Sequence, residues 1–157
     1  MLHFLTRKSK NIPQRKLKPN YLDKKEKYGK TGLTPSFSLE LKSKLEYVML
    51  TQKIYLNPNL KLDDIATVLN VSRHHASQVI NENFNVSFYD YINAYRIKDV
   101  KYKLSLHHRE NKSISDLAYE CGFNNRVSFY NAFNKMTSMT PKQFIQKKNK
   151  PKTADSL

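Results

Sequence analysis

From Ser38 onward the apolar residues recur at helical spacing and keep it almost to the end of the chain. Leu41, Leu45, Val48 and Met49 fall at i, i+4, i+7 and i+8, one face of a helix that should stop near Asn57-Pro58. Leu62, Ile65, Ala66 and Leu69 make the stripe of a short second helix, with Asp63 and Asp64 in a first turn where carboxylates suit the helix dipole. Asn70-Val71 then turns, Ser72 suits an N-cap, and a third helix buries Ala76, Val79 and Ile80 before ending between Asn83 and Asn85. Phe88, Tyr91, Ile92, Tyr95, Val100 and Leu104 fit one longer helix over about 87–106. The polar stretch from His107 to Lys112 reads as a loop. Ile114, Leu117, Ala118 and Cys121 give another short helix, and Gly122-Phe123 a turn. Phe129, Ala132, Phe133 and Met136 then form the buried side of a further helix. Thr140 as cap, Pro141 at the first helical position and Gln143 closing a capping box start the last one. No strand pattern competes, so the predicted fold class is all-α, with about seven helices.

Two of these segments match each other. Leu62 to Leu69 aligns at an offset of 52 with Ile114 to Cys121, setting Asp64 on Asp116 and Ala66 on Ala118. Beyond the turn the offset becomes 53, so Ala76, Val79 and Ile80 fall on Phe129, Ala132 and Phe133, and the cap Ser72 falls on Asn125. Each copy is a short helix, a tight turn and a second helix, the arithmetic of a helix-turn-helix unit. Small Ala66 and Ala118 let the second helix cross close over the first. Gly122 suits a turn position of positive φ, and Asn70 in the matching place tolerates one. The helix between the copies, at 1.5 Å per residue, would be about 27–30 Å long. One turn of B-DNA is about 34 Å, so the two second helices can reach successive major grooves on one face of a duplex.

Charge sharpens that reading. The 157 residues carry a formal net charge of +15, which calls for an acidic partner. Residues 1–33 hold ten Lys or Arg against two Asp or Glu, with Pro13, Pro19, Gly29 and Gly32 and no apolar period. We read 1–37 as a basic flexible arm or linker. Residues 38–148 are then the double helix-turn-helix domain, its first unit about 38–85, its linking helix about 87–106 and its second unit about 113–148. Residues 149–157 remain as a disordered tail. Cys121 is the only cysteine, so no intrachain disulfide can form, and a reducing, cytoplasmic setting is expected. No run of 18 apolar residues exists to span a bilayer.

With Ala76, Val79 and Ile80 turned inward, Arg73, His74, Ser77, Gln78 and Asn81 are placed on the opposite face of the first reading helix, 72–83. Gln78 can pair bidentately with adenine, while His74 or Ser77 can meet base edges or phosphate. In the second reading helix, 125–137, inward Phe129, Ala132 and Phe133 leave Arg126, Val127, Tyr130, Asn131 and Asn134 outward. Arg126 suits guanine, Asn131 adenine and Val127 a thymine methyl. Ser72 and Asn125, at the helix N-termini, mark phosphate anchors. The pairs His74-His75 and His107-His108 lack the i, i+4 spacing of a helical metal site, and neither a nucleophile elbow nor a P-loop is present. No catalytic residue, metal or cofactor is therefore expected. The competing class is a non-specific RNA, DNA or anionic-surface binder acting through the basic arm.

Segment 60–145 resembles the DNA-binding domain of the AraC/XylS family of bacterial transcription regulators. The resemblance is carried by Ser113-Ile114-Ser115-Asp116-Leu117-Ala118-Tyr119-Glu120-Cys121-Gly122-Phe123, then Ser128-Phe129, Phe133 and Met139-Thr140-Pro141 with Phe144. Leu62 to Ile80 and Tyr91-Ile92-Asn93 with Arg96-Ile97 also fit. Ser138 and Asn85 stand where the family usually has Gly, Asn134 where it often has Lys, Val100 for a common Ala and Ala76 for a common Leu. The resemblance implies two helix-turn-helix subdomains, double-stranded promoter or operator DNA and RNA polymerase as partners, and a structural role for Arg96 beside the linking helix. Such regulators carry a sensor, and Lys27 to Leu33 resembles the linker behind an N-terminal sensor or membrane module. The chain is therefore expected to be either a free-standing short regulator or the output end of a larger architecture whose sensor or membrane module lies outside it. No heptad seam is evident, which leaves a monomer or weak dimer.

Overall fold

In the computed structural model the described residues are 32–106 and 112–149, and all of their regular structure is helical. The arm expected up to residue 31, the loop expected over 107–111 and the tail expected from 150 lie outside the described residues. Among the described residues seven α-helices follow one another: α1 Pro35–Thr51, α2 Leu62–Leu69, α3 Arg73–Phe84, α4 Phe88–Ser105, α5 Ile114–Glu120, α6 Arg126–Thr137 and α7 Pro141–Asn149. A single 3-10 turn, Ile54–Leu56, lies between α1 and α2.

Local chemistry sets most helix ends. Ser72, Ser87, Ser113 and Asn125 each accept a hydrogen bond from the backbone N–H three residues on, satisfying a donor that the first turn leaves open. Ser113 and Asp116 form a reciprocal box: the Asp116 N–H donates to Ser113 Oγ at 3.1 Å, and the Ser113 N–H to Asp116 Oδ2 at 3.0 Å. Thr140 and Gln143 form the same box at α7, at 2.8 and 3.2 Å. Left-handed residues stop α2, α3 and α6: Asn70 at φ 58°, Asn85 at φ 55° and Ser138 at φ 57°. Gly122 takes the matching role after α5, at φ 90°.

Helix α1 starts at Pro35 rather than Ser38, because Thr34 caps it through the Phe37 N–H and Pro35 pre-sets the first turn. It also ends earlier than expected, at Thr51, because Lys53 turns left-handed and redirects the chain into the 3-10 turn.

Two cores result. Leu41, Leu45, Met49, Ile65, Leu69, Val79 and Ile80 close the first, with Tyr91 and Ile92 from the start of α4. Leu117, Cys121, Phe123, Phe129 and Phe133 close the second, with Ile97, Val100 and Leu104 from the rest of α4. At about 100° per residue, the Tyr91-Ile92 stripe and the Ile97-Val100-Leu104 stripe lie on nearly opposite faces of α4. One helix thus serves both cores.

Candidate nucleic-acid interface

The second helix of each unit has one buried side, and the opposite side is where the sequence places its reading residues. In α6 that placement is simple. Phe129 and Phe133 are fully buried, while Asn125, Arg126, Asn131 and Asn134 are exposed and Val127 is 70% exposed. Tyr130 is only half-buried, its ring edge-on to Phe129 at 5.0 Å, so it flanks the face while bracing it. Asn125 is engaged at both ends of its amide, its Oδ1 accepting the Ser128 N–H at 2.8 Å and its Nδ2 donating to Asn124 Oδ1 at 2.8 Å.

The first unit differs. Ser72, Arg73 and His74 are exposed, and Ser77 and Asn81 are half-buried. Asn81 Nδ2 folds back onto the Ser77 carbonyl at 2.9 Å and Ser77 Oγ at 3.2 Å. Arg73 forms an ion pair with Asp63 of α2.

Gln78 is a correction: it is 2% exposed and does not lie on the open face. Helical arithmetic does place it outside the Ala76-Val79-Ile80 stripe. The segment leading into α1 covers it, with the Leu33 N–H donating to Gln78 Oε1 at 3.4 Å while Gln78 Nε2 donates to Glu82 at 3.0 Å. Asn131, its counterpart at the offset of 53, has no such cover and is exposed. The sequence could not show this, because Leu33 falls in a stretch with no apolar period.

Of the residues that join the two units, the family resemblance gave Arg96 a structural role, while Tyr55 and Asp99 went unmarked. Tyr55 in the 3-10 turn is buried and donates its hydroxyl to Asp99 Oδ2 of α4 at 2.7 Å. Burial, then that bond, raises its phenol well above the usual range. Arg96 of α4 donates from Nε to the Tyr55 carbonyl and from Nη2 to the Asn57 carbonyl, both at 2.8 Å. Burial lowers the pKa of its guanidinium from the ordinary value. Lone residues between a helix end and Asn57-Pro58 carry no periodic signal that would have marked them.

Elsewhere, Glu120 receives Lys103 and Lys112, whose hydrogen bonds pull its carboxyl down to about 2. Burial pushes the Cys121 thiol up to about 11, which leaves it a poor nucleophile. Among the described residues no group of three or more His, Cys, Asp or Glu could hold a metal, and no helix is long and apolar enough to cross a membrane.

Two matched helix pairs on one linking helix, with capped reading helices, are the geometry that comparison with known proteins resolves. A family model described as a helix-turn-helix domain matches residues 65–147, more than half of the chain. The chain belongs to the AraC-type helix-turn-helix family. An uncharacterized HTH-type transcriptional regulator of Staphylococcus aureus is 28% identical over 92 residues, covering 59% of this chain and 12% of its own length. The chain thus spans only a small part of that relative. The C-terminal domain of AraT, a response regulator from Geobacillus stearothermophilus, superposes with a TM-score of 0.58 at 22% identity, covering 80% of this chain and 95% of its own. A transcriptional regulator of Chromobacterium violaceum, with an AraC-type DNA-binding domain, gives 0.58 at 20% identity, covering 74% and 98%. These two likenesses concern the fold. The AraC-type segment is a binding domain and not an enzyme.

Proposed function

We propose that this chain is a sequence-specific reader of double-stranded DNA that regulates transcription, with α3 and α6 entering two successive major grooves. The observation that carries the reading is the repetition. Two capped helices of 12 residues each present an exposed side at the same register, Gln78 apart, on one 18-residue helix of about 27 Å. In this reading Arg126, Val127, Asn131 and Asn134 contact base edges, with Tyr130 at their border. Arg73, His74, Ser77 and Asn81 form the smaller first face. The N–H groups after Ser72 and Asn125 hold phosphates. Gln78 supports the first face from beneath.

RNA polymerase is the protein partner that this role implies, and a monomer or weak dimer in the cytoplasm suffices, because one chain carries two readers. The domain matched here is a C-terminal domain in the response regulator above, which supports a signal reaching this domain from a sensor module. The net charge of +15 favours a second reading, in which the chain binds nucleic acid or an anionic surface without regard to sequence.

Selection from a random duplex library separates the two. A specific reader enriches one sequence and prefers it to random DNA by about 10³-fold or more at physiological salt. Equal affinity for selected and random duplexes, vanishing uniformly with salt, would establish the second reading instead.

A further inference from the structure

The 3-10 turn of the first unit is gripped from two sides. Arg96 of the linking helix caps the Tyr55 and Asn57 carbonyls at 2.8 Å each. Tyr55 reaches Asp99 on the same helix at 2.7 Å and stacks on Tyr95 at 5.4 Å between ring centres. From the second unit, the Gly122 backbone presses on the same turn: a Cβ there would lie 2.5 Å from the Tyr55 carbonyl oxygen and 2.9 Å from that of Leu56. Phe123, the next residue, is buried with the Arg96 guanidinium 5.7 Å from its ring centre. A further tie, Lys135 to Asp90, joins α6 to the start of α4.

These contacts have a shared consequence. A single linking helix would fix the distance between the readers but leave their twist to whatever bending and rocking the two cores allow. Arg96 meets both units at once, and Gly122 permits a backbone approach that no other residue could make. We infer that the Arg96–Tyr55–Gly122 joint fixes the angle between the two reading helices before DNA arrives, so that this chain discriminates between sites by the spacing of their two halves. Arg96 is then a positioning residue for specificity and touches no base. The inference rests on the two-groove reading proposed above.

The test compares wild type, Arg96→Ala and Arg96→Lys on the selected site, on the same site with two base pairs inserted between its halves, and on the α6 half alone. The insertion shifts one half by about 7 Å and turns it by about 70°. Wild type should lose about a hundredfold in affinity, as when geometry forbids joint engagement. Arg96→Ala should lose about tenfold or less, while its affinity for the single half stays within about twofold of wild type. Arg96→Lys, which keeps the charge but not the fork onto two carbonyls, should fall between, and it carries the comparison if Arg96→Ala does not melt cooperatively.

A second readout needs no DNA. Spin labels at Lys44→Cys and Lys142→Cys, both exposed and one in each unit, should give a narrow distance distribution that broadens in the Arg96 variants, with buried Cys121 left unlabelled. An unchanged spacing penalty, or equally narrow distributions in folded variants, would overturn the joint. Indifference of wild type to spacing would instead remove the two-groove reading, and the label distances would then decide the joint alone.

Discussion

Among single side chains, the two reading faces are unequal. Arg126 is exposed at the first position of α6, with a guanidinium fork suited to guanine O6 and N7. Arg126→Ala should weaken binding to the selected site by about 1–3 kcal/mol and relax one base position, while Lys98→Ala, on the open side of α4, changes little. Competition titrations against single-base variants check both, and a loss shared equally by random DNA would count against a reading role for Arg126. The matching residue in the first unit, Arg73, is engaged with Asp63 and must exchange that pair for any contact with DNA. The inward and outward sides of α6 were legible in the sequence because Phe129, Ala132 and Phe133 declare the buried side. Gln78 was not, since its cover comes from a residue 45 positions earlier, and helical periodicity reports only on neighbours along one helix.

Helix ends were among the more legible features, because caps and boxes are local chemistry: Ser72, Asn125 and the Thr140-Gln143 pair all act where the sequence placed them, though the Ser113-Asp116 box went unmarked. Boundaries set by backbone conformation alone were less so, as the stop of α1 at Thr51 shows; its start at a Thr34 cap was missed as well. Of the three left-handed stops, two are asparagines, which tolerate the conformation, and the third is Ser138, which is strained by it. Relief of a left-handed side chain is worth about 1–2 kcal/mol, against about 0.5–1 kcal/mol for the greater freedom of glycine in the unfolded chain. Ser138→Gly should therefore stabilise the protein by about 0.5–1 kcal/mol, read as a higher urea midpoint at unchanged slope. Ser138→Val should lower it, and an identical midpoint for all three would show that no strain is held there.

Helices α4 and α5 are also linked through Glu120, which joins Lys103 and Lys112. Its carboxyl is lowered from 4.5 to about 2, so the folded state favours the charged form. That contribution is complete above pH 4.5 and is lost as pH falls towards 2. Because the group is open to solvent, the effect is small and weakened by salt. Melting temperatures of wild type and Glu120→Gln should differ at neutral pH and converge as the pH approaches 2; a constant difference would contradict the assignment.

At the scale of the molecule, the all-helical fold and its two units were legible because a repeat in sequence must repeat in structure. The relation between the units was not. It depends on Tyr55, Arg96, Asp99 and Gly122, residues up to 67 positions apart whose meeting no pattern along the chain announces. With the proposed joint, the two stripes of α4 hold two cores as one body that would meet DNA in two grooves. Hydroxyl-radical footprinting of the selected duplex tests this most directly. Two protected windows are expected on one face, with centres about 10 base pairs apart, the Arg126→Ala variant weakening the window under α6. A single protected window, or uniform protection with no periodicity, would contradict it.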